Sequence, residues 1–209
     1  MKIECFGIGP LGTNCYFVRN EETNELLVID PGDFPDYLRR YIEEEKLIPT
    51  AVLLTHGHFD HVLGLRGWRG SYKDIPIYIS EAEKDMLLDP SLNGTKDYRE
   101  YAISMEADHY LKDGEIVSLA GEKITFLHTP GHTAGSGCYY FPEHHVLFSG
   151  DTLFRGSVGR WDMATGSYDD LMDSLNDKLL VLPDETVVYP GHESETTIAD
   201  EKKFNPYVR

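Results

Sequence analysis

The residues best suited to do chemistry lie in one stretch, Thr55-His56-Gly57-His58-Phe59-Asp60-His61. Three imidazoles and a carboxylate fall within six consecutive positions. Neutral imidazole nitrogen and carboxylate oxygen are donors that suit zinc, iron and manganese. A lone histidine in a turn is ordinarily solvated or packed in a core. Four such groups at one spot point instead to a metal site. Ahead of them the apolar run Ala51-Val52-Leu53-Leu54 reads as a buried strand, and behind them Val62-Leu63-Gly64-Leu65 starts a helix.

Three further places repeat the plan of apolar strand, small-residue turn and donor. They are Ile124-Thr125-Phe126-Leu127-His128-Thr129-Pro130-Gly131-His132, Val146-Leu147-Phe148-Ser149-Gly150-Asp151 and Val187-Val188-Tyr189-Pro190-Gly191-His192. Glycine ahead of each donor permits a tight turn and close backbone approach. Four strand ends of this kind can converge on one edge of a sandwich. Arg155 and Arg160 either pair with a substrate carboxylate or anchor the glycine-rich loop through Asp162 or Asp169. His128 reads as a structural histidine, Tyr189 as core, and Thr55 as a residue that orders the donor loop through its hydroxyl. His144 and His145 fall in a hairpin turn, where solvent exposure is expected.

Elements must position these donors. Residues 2–6 and 13–19 read as strands around the turn Gly7-Ile8-Gly9-Pro10, and 26–29 as a third that ends in the turn signal Asp30-Pro31-Gly32. Over 34–46, Phe34, Tyr37, Leu38, Tyr41 and Ile42 recur at spacings of three and four, which predicts a helix with Glu43, Glu44 and Glu45 turned to water. A strand at 75–79 precedes a helix through Leu88, opened by the capping box Ser80 and Glu83. From 89 to 109 the pattern weakens, punctuated by Tyr98, Tyr101 and Tyr110. That fits either an insertion near the cleft or a surface loop with packed tyrosines. Hairpins are expected from 115–119 with 124–128 and from 138–141 with 146–148. A helix at 167–180, a strand at 186–189 and a short helix at 198–204 close the chain. Two runs of strands, each followed by helices, predict two sheets packed face to face with helices outside.

The 209 residues suffice for a sizeable core, and one domain over 1–209 is expected. With 19 basic against 36 acidic residues the formal charge is -17, which repels phosphate backbones and argues against a general nucleic-acid binder. Cys5, Cys15 and Cys138 lack zinc-ligand spacing and read as buried free thiols in a reducing compartment. The N-terminus has no signal-peptide pattern and no apolar run approaches the roughly 18 residues that span a bilayer. A cytoplasmic protein is expected, with no nucleic-acid or membrane partner.

The set His56-x-His58-x-Asp60-His61, His132, Asp151 and His192 resembles that of the metallo-β-lactamase superfamily. The resemblance covers nearly the whole chain and implies an α/β (α+β) fold, the four-layer αββα sandwich with a binuclear site between the sheets. It implies two divalent ions, zinc first, with iron or manganese as alternatives. His56, His58 and His132 would hold the first ion, Asp60, His61 and His192 the second, and Asp151 would bridge. Asp60 and Asp151 are thereby the carboxylates expected to serve catalysis.

Within the superfamily, Pro130-Gly131-His132-Thr133-Ala134-Gly135-Ser136, the stretch from Ser149 to Arg160, and Asn205-Pro206-Tyr207 resemble short single-domain relatives of hydroxyacylglutathione hydrolases (glyoxalase II). This implies hydrolysis of a small-molecule thioester, such as S-lactoylglutathione, by a metal-bridging hydroxide. Two cations about 3.5–4 Å apart can share one water and lower its pKa toward about 7. Two departures stand out. The glutathione-gripping C-terminal helical domain of the full-length enzymes has no counterpart before Arg209, and Glu193-Ser194 follows the last donor where many relatives have glycine and proline. Persulfide dioxygenases resemble the same motifs and use one iron at the positions of His56, His132 and Asp151, so an oxidoreductase is the alternative. A metal-binding protein without turnover is a third. Secreted β-lactamases, nucleases and flavodiiron proteins of the superfamily resemble the chain less.

Overall fold

In the computed structural model, which describes residues 1–97 and 102–208, the first sheet is laid down by the N-terminal half of the chain. Its strands are Lys2–Ile8 (β1), Thr13–Arg19 (β2), Glu25–Ile29 (β3), Ile48–Leu53 (β4), Ile77–Ser80 (β5) and His109–Leu111 (β6), in that spatial order. The second sheet holds Ile116–Leu119 (β7), Glu122–His128 (β8), Gly137–Phe141 (β9) and Val146–Gly150 (β10). A small ribbon of Leu153–Phe154 (β11) and Ser157–Val158 (β12) follows, and Val187–Pro190 (β13) and Thr196–Thr197 (β14) complete the second sheet beside β10.

Alternation of side chains along a strand builds the layers. In β2, Tyr16 and Val18 face the second sheet while Cys15 and Phe17 face outward, and Leu27 and Ile29 of β3 alternate with Leu26 and Val28. From the other side, Phe126, Tyr139, Phe141 and Phe148 fill the space between the sheets. Outside the first sheet, Leu38 and Ile42 of helix Asp36–Glu44 (α1) and Trp68 of a later helix pack on Phe17, Val28 and Val52. Outside the second, Leu171, Leu175, Leu179 and Ile198 pack on Cys138, Leu147 and Val188. The four layers αββα follow, as the sequence predicts. Burying one such large side chain contributes about 1.5–3 kcal/mol, so the layering rests mainly on these contacts.

Differences in the elements have local causes. Helix α1 starts after Pro35, because the residue before a proline avoids helical geometry, and Phe34 packs on Trp68 instead. It ends before Lys46, whose φ of 55° is left-handed. Helices Phe59–Val62 (α2) and Leu65–Ser71 (α3) follow the donor loop, and Lys84–Leu88 (α4) follows β5. The predicted capping box forms by half. Ser80 Oγ accepts from the Ala82 N–H at 3.3 Å, but the Glu83 carboxylate turns away toward other partners. The 167–180 helix divides into Tyr168–Asp173 (α5) and a wider turn, Ser174–Leu179, where Ser174 Oγ donates to the Pro130 carbonyl at 2.7 Å. Helix Ile198–Phe204 (α6) forms with the predicted bounds.

Within 89–109, Asn93 is buried and its amide holds the carbonyls of Met86 and Ile103, and β6 adds a strand that the sequence pattern does not show. Tyr98 and Tyr101 lie outside the described residues. Cys15 and Cys138 are buried as expected, whereas Cys5 is exposed on edge strand β1; all three are free. Among the described residues no helix is long and apolar enough to cross a membrane.

Candidate metal centre

Strand direction decides where the donors meet. β3 and β4 run parallel, so Asp30 and the Thr55–His61 stretch leave the first sheet at one edge. β8 and β10 both run antiparallel to β9, and β13 runs parallel to β10. His132, Asp151 and His192 therefore leave the second sheet on a common side. Hydrogen bonds lock the two edges together: the Gly137 N–H donates to the Thr55 carbonyl at 2.9 Å, and the Asn14 N–H to the Gly191 carbonyl at 2.8 Å.

All seven residues singled out in the sequence come together here. Donor atoms of His56, His58 and His132 lie within 4.8 Å of one another, as do those of Asp60, His61 and His192, and those of His56, His61 and Asp151. Asp151 sits between the outer trios. Its Oδ1 is 3.4 Å from His61 Nε2, and its Oδ2 is 3.6 Å from both His132 Nε2 and His192 Nε2. His192 Nε2 is 3.2 Å from Asp60 Oδ2. Gly191 allows this closeness, since a Cβ there would collide with Asp151 Oδ1 and His61 Cε1. Gly150 has φ +50° and lies against the Thr55 side chain.

The donor set fits divalent cations on the chain's own evidence. His56 Nε2, His61 Nε2 and Asp151 Oδ1 are buried without a hydrogen-bond partner, which is costly unless another group satisfies them. Three carboxylates, Asp30, Asp60 and Asp151, crowd one imidazole, His61. Burial disfavours the charged form of His61, yet these carboxylates push its pKa well above the usual range. Burial likewise opposes ionisation of Asp60, but His61 and hydrogen bonds from His192 and Thr13 hold its carboxyl far below the ordinary value. Asp151 is lowered against its burial by His61 in the same way. Burial and the neighbouring His132 and His61 push His58 down to about 3, and burial lowers His56 and His132 too. Neutral His56, His58 and His132 beside ionised Asp60 and Asp151 are in the states that metal binding requires, whereas His61, and His192 through its hydrogen bond to Asp60, are raised and hold a proton that a bound cation would displace.

Residues outside the donor set hold it in place. Asp30 accepts from the Thr55 N–H at 2.8 Å and the Thr55 hydroxyl at 2.7 Å, and its Oδ2 lies 3.0 Å from His61 Nδ1, an ionic contact off the hydrogen-bond direction. The Thr55 hydroxyl, 3.1 Å from His56 Nδ1, is then an acceptor for that ring, which leaves Nε2 free for a ligand role. His132 Nδ1 is 2.7 Å from the Arg160 carbonyl, which fixes that ring likewise. Thr13 Oγ1 donates to Asp60 Oδ2 at 2.7 Å. The expected role of Thr55 is thus present, while Asp30 and Thr13 read in the sequence only as turn and strand residues.

Other expectations resolve simply. Arg160 forks onto Asp162, with Nε–Oδ1 2.8 Å and Nη2–Oδ2 3.1 Å, and Arg155 is exposed. His128 Nε2 meets the Ala134 carbonyl at 3.0 Å and is structural. His144 and His145 are exposed, remote from the donors in the β9–β10 turn. Tyr189 stacks on Phe148, half-buried. Glu193 has φ +65°, in the left-handed region that favours glycine, and its carbonyl accepts from Asn14 Nδ2 at 2.8 Å.

The centre floors a cavity of about 490 Å3. Leu11, Phe59, Met86, Leu92, Phe154 and Met163 supply apolar wall, while His58, Asp60, His132, Asp151 and His192 line its base.

A family model described as the metallo-beta-lactamase superfamily matches residues 8–192. The chain belongs to the metallo-beta-lactamase superfamily. Among superfamily relatives, the probable metallo-hydrolase YqgX of Bacillus subtilis is 39% identical, over 100% of this chain and 98% of that protein. The hydroxyacylglutathione hydrolase GloC of Haemophilus influenzae is 37% identical, over 100% and 98%. Among solved superfamily structures, the BLEG-1 B3 metallo-beta-lactamase has a TM-score of 0.92 at 37% identity, with 99% of each chain covered. TTHA1623 in a di-iron-bound form has a TM-score of 0.84 at 37% identity, over 98% and 99%. ETHE1 from Myxococcus xanthus has a TM-score of 0.77 at 29% identity, over 99% of this chain and 84% of that one.

Proposed function

We propose that this superfamily member is a metal-dependent hydrolase of small-molecule thioesters, of the glyoxalase II type. One observation carries the reading: two donor trios flank one shared carboxylate, Asp151, at the base of a cavity with apolar walls. His56, His58 and His132 would hold one divalent ion, and Asp60, His61 and His192 a second, with Asp151 shared. Zinc is the first candidate, and the likeness to a chain described as di-iron-bound makes iron the second. When bound, such ions supply an acidified water and Lewis-acid stabilisation of a developing oxyanion.

The chain's own residues do the rest. Asp60 and Asp151 stay ionised and serve catalysis as acceptors at the reacting centre. Thr13 and Asp30 keep the donors of one side aimed inward. The apolar walls exclude bulk water and take the non-reacting part of the substrate. A thiolate leaves without a dedicated strong acid, which suits a site whose acid–base groups are all committed to the donor cluster. A cavity of about 490 Å3 suits a small acyl thioester rather than a polymer. The resemblance to GloC makes a glutathione-linked substrate the first to assay.

The mononuclear iron persulfide dioxygenase stays the second reading because it shares the same donor motifs, and convergence of the Asp60, His61 and His192 trio favours the binuclear one. The likeness to a chain described as a B3 β-lactamase puts β-lactams in the assay panel. The test is thiol release from S-lactoylglutathione together with metal content and oxygen uptake. Thioester turnover without oxygen uptake is expected. One iron per chain with oxygen uptake on glutathione persulfide would replace the hydrolase by the oxidoreductase.

A further inference from the structure

Glu83 stands outside the donor cluster and is 1% exposed. Its carboxylate accepts three hydrogen bonds from two separate loops. Oε2 accepts from the Gly57 N–H at 2.7 Å, and Gly57 lies between His56 and His58. Oε1 accepts from the Thr133 hydroxyl at 2.7 Å and the Gly135 N–H at 3.0 Å, just after His132. Ser136 sets the direction of this chain, since its Oγ accepts from the Thr133 N–H at 3.0 Å and is 2.7 Å from Thr133 Oγ1. The packing leaves no slack: a Cβ on Gly135 would stand 2.6 Å from the Glu83 nitrogen, and one on Gly57 would stand 3.0 Å from Glu83 Oε2.

A buried carboxylate is costly unless its lone pairs are filled, and here three donors fill them. The ties all run to the His56–His58–His132 side. The opposite side has other holds, Asp30 on His61 and Thr13 on Asp60. We infer that Glu83 is a positioning residue selective for the His56–His58–His132 trio, clamping the two loops whose rings, His58 Nδ1 and His132 Nε2, approach to 2.9 Å. It acts through two backbone N–H groups and the Thr133 hydroxyl and makes no hydrogen bond to the three imidazoles. This rests on the reading that the trio holds a metal ion.

Zinc(II) titration of metal-stripped protein against a chromophoric chelator tests it, in two backgrounds. His192→Ala leaves the first trio as the tighter site, and His58→Ala leaves the second. Glu83→Gln keeps the shape and one acceptor oxygen but opposes the Gly57 N–H with an amide. It is expected to weaken zinc binding about tenfold or more in the His192→Ala background and less than about twofold in the His58→Ala background. Thr133→Val, which removes one tie and spares the carboxylate, is expected to act in the same direction and more weakly. Equal weakening in both backgrounds, or none in either, would overturn the selective clamp. A Glu83→Gln chain that does not fold would leave Thr133→Val to decide between the same two outcomes. Absence of zinc binding to the unmutated chain would overturn the ligand reading, and the clamp with it.

Discussion

Asp30 accepts two hydrogen bonds from one residue, Thr55, through the backbone N–H at 2.8 Å and the hydroxyl at 2.7 Å. The pair joins the end of β3 to the first residue of the donor loop. The same carboxylate lies 3.0 Å from His61 Nδ1. Replacing Asp30 with Ala leaves buried polar groups on Thr55 and His61 unmatched. The expected cost is roughly 3 kcal/mol of folding stability. Urea denaturation of metal-stripped wild type and variant measures it, and a change under about 0.5 kcal/mol would sink the tether.

Asn205 reaches the centre by a longer route. Its amide donates to the Ser157 carbonyl at 3.0 Å and to Glu201 Oε2 at 2.7 Å, while the Glu201 carboxylate accepts from the Gly156 N–H. The loop so held runs on to the Arg160 carbonyl beside His132 Nδ1. Asn205→Ala should lower stability by about 1–2 kcal/mol. Turnover should fall by more than the loss of folded protein explains. A variant with normal turnover per folded chain would show that this loop does not orient His132.

The thiols make a separate prediction. Burial pushes Cys138 up to about 12 and Cys15 well above its ordinary value. Both therefore stay protonated at pH 8, where the reactive thiolate is scarce, and neither is accessible. Cys5 is exposed, although burial of part of its surroundings raises it as well. Iodoacetamide at pH 8.5 should add one label to the native chain and three in urea, counted by intact mass. Rapid labelling of Cys138 in the native chain would contradict the burial that places it on β9 beneath the outer helices.

The sequence carries the donors plainly because each sits just past an apolar strand, and strand alternation carries the layers. Roles made by contacts between distant residues leave no such trace. Asp30 reads locally as a turn residue and Glu83 as half of a capping box, yet their partners are 25, 26 and 50 positions away. The two-residue strands β11, β12 and β14 are too short to show a period. The widening of the 167–180 helix at Ser174 comes with a bond to Pro130, again from another part of the chain.

Metal content per chain, measured with thioester turnover in wild type and Asp151→Ala, bears most directly on the shared carboxylate. Elemental analysis should find two divalent ions per wild-type chain, with thiol release from S-lactoylglutathione or another small acyl thioester. Asp151→Ala should lose at least one ion and most of that turnover. An Asp151→Ala chain that keeps both ions and full activity would contradict the account at its centre.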